Sequence, residues 1–447
     1  MQRKPLLCLT FSLVVTLLLT VGCNSTQNEN RPVSDTPPAG GQAAGEKKVL
    51  TIAVYDDFYS LETIIDRFTA IHPNVTVELE NFKGDEEKYK MQLTTRLLSG
   101  KAPDIMDAFL SEEKLSDSGL LADIYPLMRN DPDFNEGDYY MNVIESTVYK
   151  GKLITFPITF YYRMVGVNNM FSEELVERFS SYKSISYRQL FDLYNSLEDT
   201  GGRYPCWNLD IVTVVLENTN TLIDLEQKKC YFNTPEFIEF ITTAKNCTPP
   251  QKVAGGRLGY ISPAKSSRAD QEQYAKQYLF DDAQANQYWF FLPYLEKEVF
   301  THFIPVVNDK NEMRLTLGRR HCINAASQNK ELAWEFIKFL TTPQANEKIF
   351  LSSFSVNKEL FRITAAARIA ESAADQERGY TVDGETEQIV EQVIAKLAAY
   401  NEMPGEYPLY IGVDIIIDTL TSFYNNIMTA EQAASELQNK ISLILME

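Results

Sequence analysis

The chain has 447 residues, with 61 acidic against 42 basic and a net charge of −19. So acidic a body excludes a protein that wraps nucleic acid, which needs a basic face, and adhesion to anionic membranes by charge alone. Three histidines, His72, His302 and His321, lie far apart and weigh against a histidine-rich metal site or a histidine-dependent hydrolase, while 44% hydrophobic content over this length suits two to four domains with real cores.

Arg3 and Lys4 precede an apolar run from Leu6 to Val21, relieved only by Thr and Ser. A secretory signal has this layout, and the run is short for a membrane span. Gly22-Cys23 resembles a bacterial lipobox, so residues 1–22 are expected to be removed and Cys23 to carry lipid; the alternative is an uncleaved anchor helix. Residues 23–48 hold Asn, Ser, Thr, Gln, Pro, Gly, Ala and charges with a single Val, too little apolar surface to offset the entropy of ordering. They read as a flexible tether at the extracellular face of the cytoplasmic membrane. Cys206, Cys230, Cys247 and Cys322 fit no metal spacing; they either pair in an oxidising compartment or stay as buried thiols.

The body opens as strand and helix in alternation. Val49 to Val54 is a buried-strand run, and Leu61, Ile64, Ile65, Phe68 and Ile71 recur at helical spacing until His72-Pro73-Asn74 ends the helix. Val75, Val77 and Leu79 alternate as a second strand. Met91, Leu93, Leu97 and Leu98 mark a second helix, and Pro103 to Met106 starts a third strand. This order predicts an α/β fold with mainly parallel sheets flanked by helices, whose ligands collect at the carboxyl ends of the strands. Those ends hold Tyr55, Asp56 and Asp57 after the first strand, and Asp107 and Phe109 after the third. The region after about Asn357 reads as helical, with Ile389, Val390, Val393, Ile394 and Leu397 on one face and Leu437, Ile441 and Ile444 on another; both stripes read as core.

The pieces Phe68 to Val77, Leu97 to Ile105, Ser118 to Leu127, Gly151 to Pro157, Phe232 to Phe237 and above all Ile323 to Phe336 stand in an order that resembles the extracellular solute-binding proteins of ABC importers, the branch that includes maltose-binding protein. The tail Thr429 to Ala434 with Leu437-Gln438 fits as well. The resemblance covers nearly all of 49–447. It implies a type II periplasmic-binding-protein fold of two discontinuous lobes, 49–158 with 320–352 and 159–319 with 353–447, hinged where the chain crosses near 157–161, 314–323 and 352–356. It implies a monomer without cofactor or catalytic metal that delivers a small solute, by expectation a sugar or oligosaccharide, to ABC permease subunits.

Sugars present an apolar C–H face and a polar rim, so aromatic rings with nearby carboxylates are the expected site chemistry. Phe160 and Tyr161 lie on the first crossing, where alternate side chains point to opposite sides, so they and Tyr162 cannot all face ligand. Trp207 and Trp289 are placed by the resemblance near the cleft, with core as the alternative. Trp334 reads as core. Asp56 and Asp57 either bond hydroxyls or serve the dipole of the following helix. Arg163 and Arg319 either pair with carboxylates or receive an anionic sugar. The chain lacks the Trp that maltose-binding proteins carry after Pro-Asp-Ile, which puts malto-oligosaccharides in doubt. No Gly-x-Ser-x-Gly, His-Glu-x-x-His or P-loop is present, and Glu86-Glu87 beside Lys88 and Lys90 reads as a solvated face rather than a glycosidase pair. The other readings are a peptide, polyamine or organic-anion receptor, a lipid-anchored enzyme on wall polysaccharide, and a sensory adaptor.

Overall fold

The computed structural model describes residues 47–56, 61–108, 118–207, 209–225, 227–248, 268–284, 299–346, 353–374, 384–406 and 411–446. Signal, most of the tether, Asp57, Phe109 and Trp289 lie outside them. β1 (Lys48–Val54), α1 (Leu61–Ile71) and β2 (Val75–Asn81) form a parallel crossover unit, and α2 (Glu86–Leu98) leads to β3 (Ile105–Asp107) on the other side of β1. The strand period sorts the faces: Leu50, Ile52 and Val54 join the cluster of Leu61, Ile64 and Phe68, while Ala53 joins Tyr89, Leu93 and Leu97 of α2. Asp85 caps α2 by accepting from the Lys88 amide at 3.1 Å. α3 (Tyr125–Asn130) and α4 (Met141–Glu145) precede β4 (Phe156–Pro157).

β5 (Thr159–Tyr161) leaves this lobe and β6 (Arg163–Asn168) enters the second. α5 (Glu173–Ser180), β7 (Ile185–Ser186), α6 (Tyr187–Asn195), β8 (Tyr204–Trp207) and α7 (Ile211–Leu216) follow. Ser186 and Gln189 close a reciprocal capping box on α6. Next come α8 (Thr219–Leu222), the small pair β9 (Ile223–Asp224) and β10 (Lys229–Cys230), α9 (Pro235–Cys247), α10 (Arg268–Ala275), β11 (Tyr278–Gln284), β12 (Phe300–Val307) and β13 (Met313–Arg314). The chain returns through β14 (Thr316–Leu317) and β15 (Arg320–Ile323) to α11 (Lys330–Leu340) and α12 (Pro343–Asn346). β16 (Phe354–Ser355) crosses once more, ahead of α13 (Lys358–Ala374), α14 (Gly384–Asn401), β17 (Gly405–Glu406), α15 (Val413–Tyr424) and α16 (Ala430–Met446).

Besides the β9·β10 pair, three sheets result among the described residues: β2-β1-β3-β15-β4; β17-β13-β12-β6-β11-β8 with β7 on β12; and β14-β5-β16. Both large sheets are mixed. Antiparallel pairs β15·β3, β15·β4, β11·β6, β12·β6 and β12·β13 match the parallel ones in number, more than strand–helix alternation alone leads one to expect. Re-entry accounts for the first two: β15, coming back from the other lobe, runs against β3 and β4. The second sheet is covered on both faces. Val165, Val167, Ile304 and Val306 pack with α5, α6 and α9, and Met164, Phe303 and Val307 pack with Val393, Ile394 and Leu397 of α14. Gly166 is small because the Phe303 ring lies where its Cβ would be, at 2.6 Å.

The C-terminal segment behaves as two pieces. α15 and α16 pack on the second lobe through Ile416, Leu420, Leu437, Ile441 and Leu445, whereas Ile444 is 37% exposed and lies outside the expected stripe. The α13–α14 pair instead straddles the hinge: Leu360 and Phe361 join Tyr140 and Phe354, and Asn142 of α4 donates to the carbonyls of Asn401 and Met403 at 2.9 and 2.7 Å. Trp334 is core, its indole donating to Asp131 at 2.8 Å.

Candidate functional site

The third sheet is the hinge, one strand from each crossing. Thr316 and Leu317 pair with Tyr161 and Phe160, while Phe354 and Ser355 pair with Phe160 and Thr159 on the other side of β5. The amide of Gly318 donates to Thr159 O at 2.7 Å, and a Cβ on Gly318 would sit 2.0 Å from Thr159 Oγ1. This close approach needs glycine. Phe160 and Tyr162 are buried on one side of the strand with Phe354 and Tyr140, so Phe160 holds the hinge core together rather than lining an open wall. Tyr161 points to the opposite side and is half-buried.

The first lobe offers the carboxyl ends of β1 and β3. Tyr55 is half-buried, with its ring edge-on to Tyr89, and half-buried Asp56 follows it. Asp107 binds this end to the hinge. Its Oδ2 accepts from the Tyr55 amide at 2.9 Å and from Arg319 Nη1 at 2.8 Å, and its Oδ1 lies 3.2 Å from His321 Nδ1 without the alignment of a hydrogen bond. Tyr89 donates to the backbone carbonyls of Asp107 and Ala53 at 3.0 and 3.3 Å. Burial, helped by the Asp107 charge, pushes the Tyr89 phenol well up, so it stays a proton donor. Asp107 is therefore a support beneath Tyr55, with its Oδ2 already engaged by the protein.

The second lobe offers the hinge-side ends of β6, β8 and β11. Trp207 ends β8, its backbone paired with Asp281. Arg163, the first residue past the hinge strand, makes three contacts to Asp282 at 2.9–3.3 Å, and Tyr187 donates to the same carboxylate at 2.8 Å. Burial works against the guanidinium charge, but Asp282, Tyr187 and Glu217 outweigh it and raise the Arg163 pKa further. Arg314 pairs with Glu217 at 3.0 Å close by. Asp210 caps α7 by accepting from the Thr213 amide at 2.8 Å; burial pushes its carboxyl up and the Thr213 bonds oppose this.

Tyr55, Asp56 and Asp107 thus sit at strand ends as strand order had placed them, and Tyr161 lies on the hinge strand β5. The partners Asp282, Tyr187 and His321 were not legible, since each lies many residues from the group it holds. Among the described residues no cluster of three or more His, Cys, Asp or Glu is placed to hold a metal, and no helix is long and apolar enough to cross a membrane. Cys206, Cys230, Cys247 and Cys322 are all buried free thiols.

Residues 53–165 match the family profile described as bacterial extracellular solute-binding protein. The chain resembles the extracellular solute-binding proteins. Its two-lobed type II architecture is theirs as well. A family 1 extracellular solute-binding protein from Alicyclobacillus acidocaldarius superposes with a TM-score of 0.60 at 14% identity, covering 89% of this chain and 98% of that one. A periplasmic oligogalacturonide-binding protein from Yersinia enterocolitica gives 0.58 at 14%, with 89% and 99% covered. A cyclic α-maltosyl-1,6-maltose-binding protein from Arthrobacter globiformis gives 0.54 at 14%, with 90% and 99% covered. At such identities these likenesses speak of the fold. None of the curated proteins compared matches the chain. The matching profile is one of extracellular binding proteins.

Proposed function

We propose that this protein is a lipid-anchored receptor at the extracellular face of the cytoplasmic membrane, which captures a sugar or oligosaccharide between its lobes and delivers it to an ABC permease. The observation that carries the reading is the three-stranded hinge, with Tyr161 on its central strand and Tyr55 and Asp56 at the end of the first-lobe strand β1. A hinge of this kind lets two rigid lobes close on a solute, and the closed form then presents a different surface to a membrane partner. Asp57, Phe109, Trp207 and Trp289 belong to the same proposed wall. The aromatic-plus-carboxylate chemistry suits a pyranose ring, and two of the similar folds are carbohydrate-binding proteins. Cys23 is the proposed lipid site, and the body acts as a monomer. The reading predicts that small-angle scattering on the purified protein shows a smaller radius of gyration, together with a raised Tm, on addition of the right glycan. No compaction and no thermal shift across a broad panel of neutral and acidic oligosaccharides would remove the sugar.

A further inference from the structure

Resting on the solute-binding reading above, we infer that the solute is uncharged in its sugar units and that the site rejects acidic saccharides such as uronides. The described arginines that flank the hinge strands, Arg163, Arg314, Arg319 and Arg320, are the natural receivers for a sugar carboxylate, and each already has a partner within the protein. Arg163, 10% exposed, is gripped by an Asp282 side chain that is fully buried, through contacts from Nε and Nη2. Arg319, 10% exposed, gives Nη1 to Asp107, itself 11% exposed.

An incoming carboxylate would have to pull a guanidinium away and leave a buried acid without its counter-charge, which costs more than the new pair returns. Tyr187 Oη and the Tyr55 amide also bond these two carboxylates, so neither acid can swing out to follow its arginine. Asp56 and Asp281 add further acid beside the same strand ends, and the chain carries −19 overall. The field at the strand ends therefore opposes anions before any contact forms. Neutral hydroxyls meet no such penalty, since they bond to ion-paired oxygens and nitrogens without displacing them.

Calorimetry on the purified full chain tests this with maltotriose and xylotriose as neutral probes, and with trigalacturonate and a glucuronate-substituted xylotriose as acidic ones. The inference expects any neutral binder to exceed its acidic counterparts by at least roughly tenfold in Kd. Asp107→Asn releases Arg319 and should raise trigalacturonate affinity by a similar factor. Asp282→Asn asks the same at Arg163 should the first variant melt early. Acidic binding equal to or tighter than neutral binding overturns this inference and leaves the saccharide reading standing. Acidic affinity unchanged in both folded variants also overturns it. Silence from every saccharide overturns the saccharide reading itself, and this inference with it.

Discussion

Asp104 ties three segments together with one carboxylate. Its Oδ2 accepts from the amide and hydroxyl of Thr51 on β1, each at 2.8 Å, and its Oδ1 accepts from Ser327 Oγ at 2.6 Å, just past β15. Only 9% of the residue is exposed, so water cannot replace these bonds. Asp104→Ala leaves buried donors without a partner, and a loss of about 3 kcal/mol is expected. Urea unfolding reads this as a lower midpoint at constant slope; a midpoint within error of the parent would refute the role. The residue was visible in sequence only as part of a Pro-Asp-Ile strand start. Its function as a clasp depends on Ser327, more than two hundred positions away. The same distance hid the partners of Asp107. The cysteines also became legible only in three dimensions: burial pushes Cys247 up to about 11 and Cys322 up to about 12, which keeps them as thiols.

Two junctions between elements make the next predictions. Asp131 closes α3 and receives Lys338 Nζ at 2.6 Å, Trp334 Nε1 at 2.8 Å and the Asp133 amide at 2.9 Å. Burial raises its pKa, but the bonds from Lys338, Asp133 and Trp334 outweigh that and hold it below the ordinary carboxylate value. A folded-state pKa lowered in this way contributes stability above the unfolded carboxylate range, and the contribution disappears as pH falls through the folded value. Asp131→Asn should therefore flatten the acid limb of the stability profile, so that parent and variant converge as pH drops below about 4. Parallel curves would sink the argument. At the hinge, Gly318→Ala forces a methyl against Thr159 Oγ1. A loss of about 1–3 kcal/mol is expected from overpacking, and Thr159→Ala in the same chain should restore part of it. Additive losses in the double variant would show that the two residues do not share this space. A helix start such as Ser186 to Gln189 involves only neighbours in the chain. The swap of Ile444 for Leu445 was not legible in sequence, because the last turn of α16 is oriented by what it packs against.

At the scale of the whole molecule, the proposed tether decides where the body sits. Replacing Cys23 with Ala should shift the protein from the membrane fraction to the medium, followed by fractionation and blotting. Retention in the membrane at parental levels would favour an anchor other than lipid. The acidic balance that excluded nucleic acid at the outset has also gained a more local meaning. The carboxylates Asp107 and Asp282 neutralise arginines that are themselves buried.

Local sequence determined the strand–helix alternation, the break at Pro73, and the candidate strand ends Tyr55, Asp56 and Asp107, since each of these depends on periodicity or on residues a few positions apart. The order of short motifs also carried the two-lobed plan. Tertiary structure alone decided three things. Phe160 went to the core and Tyr161 away from it. The α13–α14 pair went across the hinge rather than onto the second lobe. Arg163 and Arg319 were tied to Asp282 and Asp107 instead of being left for a ligand. Each turns on contacts between segments far apart in the chain, where packing and the cost of burying charge choose among options that local patterning leaves equal.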